Sequence, residues 1–123
     1  MKLLDSNLII YAAQEQYASL RLLVNSADTY VSIITKIEAF GFHRLTPSDK
    51  IYLEGVFNTV SVPAIDEVIV DKAIEIRQQK KMSVGDCIIA ATALLNGFDL
   101  YTNNTADFIH IDGLTVINPL DSQ

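Results

Sequence analysis

Met1–Ile10 reads MKLLDSNLII. Leu3 and Leu4, with the stem of Lys2, are strand material, and the apolar run resumes at Leu8, Ile9 and Ile10. Between the two lie Asp5, Ser6 and Asn7, so the chain opens on a strand with an aspartate at its carboxyl end. The interruption comes before the ~7–15 apolar residues of a secretory h-region, and no signal peptide is expected.

Further along, the hydrophobic spacing alternates between strand and helix. Ser6 or Asn7 is placed to cap a short helix through about Gln14, and SLRLLVNS reads as a second helical piece. TYVS is β-branched and aromatic, a strand. IITKIEAFGFHRL is helical in its spacing. TPSDKIYLEGVF carries Thr46 as N-cap, Pro47 at the first helical position and Asp49 in the first turn. TVSV reads as a strand ended by Pro63. IDEVIVDKAIEIRQQKK is an amphipathic helix with acid at its start and Lys80 and Lys81 at its end, as the helix dipole prefers. SVGDCIIAATALLNG is another helix, closed by Asn96 and Gly97. DLYT is a strand, TADF a turn or short helix, and LTVI the last strand. Strands separated by helices imply crossover connections and a parallel sheet covered on both faces, an α/β fold.

The 123 residues suit a single domain spanning 1–123, half hydrophobic, with no run near the ~18 residues that cross a bilayer. No membrane association is expected. The one cysteine, Cys87, excludes an intramolecular disulfide framework and a cysteine-based zinc cluster, in keeping with a reducing cytoplasm. A net charge of −6 argues against a general nucleic-acid coat. It leaves room for a nuclease whose carboxylates are neutralised locally by bound metal.

In open parallel sheets, ligands sit at the carboxyl ends of the strands. Asp5 is at such an end, and Ser32 with Thr35, and Thr102 with Asn103 and Asn104, also follow directly on strands. Three more acids stand out. Glu38 shares a largely apolar stripe with Ile34 and Phe42, and Asp86 precedes Ile89 and Ala90 on an apolar helix. Asp107 comes three residues after Asn104. Ionised carboxylates are costly to bury alone, so such positions call for a cation or a hydrogen-bond network. A cluster of carboxylates suits Mg²⁺ or Mn²⁺, which need neither His nor Cys. Each acid also has a plainer reading: Asp5 as a helix cap, Glu38 at a helix edge, Asp86 answering a helix dipole, Asp107 in a polar turn. His43 and His110 lack a second His at metal-binding spacing, and Cys87 reads as a small buried hydrophobe. The order and context of the four acids carry more weight than any one of them.

Those residues resemble a PIN-domain ribonuclease, most closely a VapC-type toxin of a bacterial or archaeal toxin–antitoxin pair. The resemblance rests on LLDSNLIIYA, SIITKIEAF, SVGDCIIAATALLNGFDLYTNNTADF and LTVINP. Asp5, Ser6 and Asn7 match the opening motif; Ser32, Thr35 and Glu38 the second; Asp86 the third; and Thr102, Asn104, Asp107 and Phe108 the last. It implies a three-layer α/β/α sandwich around a roughly five-stranded parallel sheet, and divalent-metal-dependent endonucleolytic cleavage of RNA. It implies Asp5 and Asp86 as the principal metal ligands, with Glu38 and Asp107 contributing directly or through water. Ser6, Asn7, Ser32, Thr35, Thr102 and Asn104 would orient those carboxylates or bound waters. It further implies a homodimer and a cognate antitoxin that inserts a basic side chain into the acidic cleft. Two competitors remain. A phosphoacceptor receiver domain would need a Lys ending a late strand, and no Lys follows Lys81. A noncatalytic PIN-like protein-binding module would more readily have lost one of the four acids.

Overall fold

The computed structural model describes residues 1–120. β1 (Lys2–Leu4), β2 (Thr29–Val31), β3 (Asp99–Tyr101) and β4 (Val116–Ile117) form one sheet in the order β2-β1-β3-β4, and every pairing is parallel. Parallel neighbours cannot be joined by a tight turn; the β3–β4 connection holds a short 3-10 turn (Thr105–Asp107), and α-helices carry the other connections. These are α1 (Ser6–Ala12), α2 (Arg21–Val24), α3 (Ile33–Phe40), α4 (Pro47–Thr59), α5 (Glu67–Gln79) and α6 (Val84–Asn96).

The two-residue period of β1 feeds two separate cores. Leu3 packs with Ile69, Ala73 and Ile76 of α5 and with Ile89 and Ala90 of α6. Leu4 packs with Leu8 and Ile9 of α1, Ala39 of α3 and Leu53 of α4. In β3, Leu100 joins the first core and Tyr101 packs against the second. Both faces of the sheet are therefore covered, as the alternation of strands and helices predicts, in the three-layer α/β/α arrangement that the resemblance implies.

Short polar side chains start the helices. The side chains of Asp5, Ser32, Thr46, Asp66 and Ser83 each accept an amide of the first turn of α1, α3, α4, α5 and α6. Each satisfies a donor that the helix itself leaves unpaired. Gly97 ends α6 in the left-handed region at φ 68°.

Three boundaries depart from the sequence expectation. The sheet has four strands where five were expected, because TVSV contributes only a single parallel bridge, Tyr30 to Ser61. Val31 donates to the Ser61 carbonyl at 3.1 Å. The next rung would need the amide of residue 63, which is proline and has none. The first helix ends at Ala12 rather than near Gln14. There Arg21 donates from Nε to the Ala12 carbonyl and from a terminal nitrogen to that of Ala13, so a side chain closes the helix. Finally, α3 stops at Phe40, whereas the helical spacing continued to Leu45. Phe42 and Leu45 prolong the apolar pattern as anchors of a turn, with the Leu45 amide bonded to the Phe42 carbonyl and its side chain on the second core.

A sheet covered on both faces has a testable consequence. Leu3→Ala and Leu4→Ala, though they empty opposite cores, should each lower stability by about 2–5 kcal/mol in urea unfolding. A near-neutral result for either would mean that its face of the sheet is open.

Candidate active site

The strand order reverses between β1 and β3: the chain passes from β1 to β2 on one side and returns to β3 on the other. A crevice opens at the carboxyl ends of strands at such a point. Asp5 leaves β1 there, its amide donating to the Tyr101 carbonyl at 2.9 Å. Thr102 leaves β3 beside it and donates its hydroxyl to Asp5 Oδ2 at 2.8 Å. The Ser6 amide donates to Asp5 Oδ1 at 2.8 Å. Asp5 is thus the N-cap of α1 and a member of the cluster at once. Its residue is only 5% exposed, and Thr102 is fully buried.

The other acids arrive from helices and a turn. Glu38 extends from an exposed position on α3, and its Oε1 accepts the Ser6 hydroxyl at 2.6 Å. Its carboxylate lies against the first turn of α6: a Cβ on Gly85 would stand 3.8 Å from both oxygens and 3.3 Å from Ile34 Cγ2. Glycine there permits the close approach of α3 and α6. Asp86 follows, half-buried, its amide held by the Ser83 hydroxyl at 3.1 Å. Asp107 lies exposed in the turn after β3 and shares a cleft with Asp86.

Electrostatics tie the four together. Burial raises the Asp5 carboxyl above the usual carboxylate range; Thr102 and Ser6 oppose the rise, and the charges of Glu38 and Asp107 add to it. Asp86 is pushed up to about 6, first by burial and then by the charge of Asp5, with Asp107 and Glu38 adding and the Ser83 hydroxyl opposing. Among the described residues, no Lys, Arg or amino terminus forms an ion pair with any of the four.

The donor set is therefore the chemistry of a hard cation: carboxylates and hydroxyls, partly desolvated and, among the described residues, without an ion-paired Lys or Arg. Yet among the described residues no three His, Cys, Asp or Glu side chains are placed to hold one ion as they stand. As the side chains stand, Ser6 and Thr102 hold Glu38 and Asp5 by hydrogen bonds from neutral hydroxyl donors.

The PIN domain family profile matches residues 2–114. The chain belongs to the PIN-domain family. A solved toxin–antitoxin complex from Klebsiella pneumoniae is similar over 97% of this chain and 98% of its own, at 28% identity and a TM-score of 0.78. DNA-bound VapBC from Salmonella typhimurium shares the fold at 22% identity, covering 95% of this chain and 96% of that one, with a TM-score of 0.78. FitAcB from Neisseria gonorrhoeae does so at 24% identity, covering 97% and 98%, with a TM-score of 0.71. No curated protein matches.

The remaining residues singled out in the sequence divide. Ser6 and Thr102 touch the carboxylates directly, and Thr35 reaches them through its 3.0 Å hydrogen bond with Ser6. The Asn104 amide donates to Thr102 Oγ1 at 3.0 Å, so its backbone steadies the threonine. Ser32 caps α3. Among the described residues, no hydrogen bond joins the side chains of Asn7, Ser32 or Asn104 to the four acids. Sequence reasoning passed over Ser83 and Gly85. The Ser-x-x-Asp spacing from Ser83 to Asp86 is a capping pattern that could have flagged the first.

Two outcomes follow for this PIN-domain site. Thr102→Val keeps the shape but removes the donor to Asp5, and should cost about 1.5–3 kcal/mol near neutral pH. The cost should shrink where Asp5 is protonated; an equal loss at both pH values would sever the link to Asp5. For Asp86, a raised folded pKa means stability fully present below about 3.8 and lost as pH rises through about 6. Asp86→Asn should therefore raise the metal-free melting temperature at about pH 7.5 and leave it nearly unchanged below about pH 4. A shift of the same size at both would contradict the crowding described.

Proposed function

We propose that this PIN-domain chain is a divalent-metal-dependent endoribonuclease and the toxin of a toxin–antitoxin pair, with residues 1–123 acting as one catalytic domain. The observation that carries the reading is the nearly buried Asp5, desolvated and without a cationic partner, at the strand-order reversal where three further acids meet. The toxin role draws on the toxin–antitoxin complexes that share the fold.

Asp5 and Asp86 would hold Mg²⁺ or Mn²⁺, with Glu38 and Asp107 contributing directly or through water. The ion, when bound, would activate water and steady charge on a phosphodiester. The protein's own share is orientation. The Ser6 amide and the Thr102 hydroxyl fix the two oxygens of Asp5, and the Ser6 hydroxyl fixes Glu38. Leu8, Ile9 and Phe108, which flank Asp5 and Asp107 in sequence, are buried in the cores and exclude water beneath the site. Ser32 and Asn104 would support the site through capping and backbone contacts, and Asn7 would orient bound water.

An antitoxin would silence the site by inserting a basic side chain among the carboxylates. Arg suits this best, since its planar fork engages two carboxylate oxygens at once. Exposed Ile33 and Ile37 on α3 offer an adjacent apolar ridge for that partner or for a homodimer. Among the described residues no helix is long and apolar enough to cross a membrane; the cytoplasm is the proposed compartment because the toxin reading puts its RNA substrate there. A noncatalytic PIN-like module is the second reading, favoured by the absence of three acids set for one ion among the described residues.

Cleavage of a labelled RNA separates the two. The wild-type chain should cut in Mg²⁺ or Mn²⁺ and stop in EDTA. Asp5→Asn and Asp86→Asn, with folding checked by circular dichroism, should lose more than about 100-fold, beyond the 10–100-fold usual for a supporting partner. Cleavage that survives EDTA, or either substitution, would defeat the metal-dependent reading; a folded wild-type chain that never cuts would favour the noncatalytic module.

A further inference from the structure

The chain has nine Lys and Arg residues against fifteen acids, and three of the nine fall within Arg77–Lys81. That segment, RQQKK, closes α5 and leads into α6. Lys80 and Lys81 answer the dipole of α5, which explains cations at a helix end but not the direction in which they face. In the structure they line one cleft of ≈ 510 Å³ together with Arg77, Ser83, Asp86 and Asp107. An adjoining depression, lined by Ile74, Gln78 and Gln79, has the same Arg77, Lys80 and Lys81 as its wall. The cationic segment thus borders both hollows, one of which is also lined by two of the four acids.

Arg77 is committed to the backbone: its Nε donates to the Met82 carbonyl at 3.0 Å and fixes the α5–α6 connection. Lys80 and Lys81 are exposed, and among the described residues neither forms an ion pair. Two exposed lysines without ion pairs among the described residues, lining the same cleft as Asp86 and Asp107 on a protein of net charge −6, are a local reversal of sign. Phosphate esters seek such a reversal, and an acidic protein needs one if a polyanion is to reach its carboxylates. The segment is short, so it can meet only a few adjacent phosphates.

We propose that Lys80 and Lys81 bind the sugar–phosphate backbone of single-stranded RNA on the α5 side of the cleft and lead the strand past Asp86 and Asp107. Arg77 is a positioning residue that holds the connection on which they stand. The proposal rests on the nuclease reading above and assigns the path of the substrate rather than its chemistry. Contacts to phosphate carry no sequence information, so these lysines set affinity and not base preference.

The test uses the full chain with both lysines neutralised, Lys80→Gln with Lys81→Gln; the side chains are exposed and the fold should tolerate the change. Lys2→Gln, at the opposite end of the sheet beside Asp28, is the control. Binding of a fluorescent single-stranded RNA is followed by anisotropy in Mg²⁺ in an Asp5→Asn background, from about 50 to 200 mM salt. The double variant should bind more weakly for every RNA sequence, and its slope of log affinity on log salt should flatten by about 1.4, or ~0.7 per phosphate contact. With Asp5 intact, KM for cleavage should rise while kcat holds, and Lys2→Gln should change neither. An unchanged slope and KM, with Mg²⁺-dependent cleavage intact, overturns the proposal and leaves the nuclease reading standing. Unchanged RNA binding with lost binding of an oligo-glutamate peptide makes the segment a protein-docking surface and likewise overturns it. A wild-type chain that neither binds nor cuts RNA in Mg²⁺ defeats both together.

Discussion

The position of Asp5 constrains everything around it. The carboxylate of a residue only 5% exposed must be compensated, and the protein does so with one amide and one hydroxyl rather than with a cation. The amide comes from the start of α1 and the hydroxyl from the end of β3, so a single side chain fastens the first helix to the centre of the sheet. The Asp5 amide adds a third tie, to the Tyr101 carbonyl. Sheet order, helix start and acidic site are one arrangement.

The remaining acids draw on the same neighbourhood. Ser6 donates its amide to Asp5 and its hydroxyl to Glu38, coupling α1 to α3. Gly85 brings α6 against that glutamate and sets Asp86 within the field of the other three. The energetic signs are opposed: neutral hydrogen bonds favour the ionised carboxylates, while burial and mutual repulsion disfavour them. Burial wins at Asp5 and Asp86, whose carboxyls are both raised. A divalent cation would reverse that balance, which is why the site's structure and its proposed chemistry are hard to separate.

Much of this was legible in the sequence because the relevant signals are local. Leu3 and Leu4 before Asp5 gave the central strand and its polar end; Thr46 with Pro47 marked the start of α4; Asn96 with Gly97 marked the end of α6. What escaped notice depends on tertiary partners. That α1 stops at Ala12 is decided by Arg21, distant in sequence, and Phe42 and Leu45 keep helical spacing while anchoring a turn. TVSV has strand propensity, yet Pro63 denies it the next rung of the ladder. The four acids could be gathered from their order and context, whereas the hydroxyls of Ser6 and Thr102 came only through the family resemblance, since no periodicity marks them. The basic segment was readable only as a helix end, since its nearness to Asp86 is a property of the fold.

The proposed binding of a divalent ion by crowded, desolvated carboxylates is tested directly by titrating the Asp5 and Asp86 carboxyl carbons by NMR, with and without Mg²⁺. In EDTA both should titrate above the usual carboxylate range, Asp86 near 6. Saturating Mg²⁺ should bring both down to or below that range, because a bound cation favours the ionised form. Titrations that Mg²⁺ leaves in place would contradict the account and leave the cluster a purely structural device of the fold.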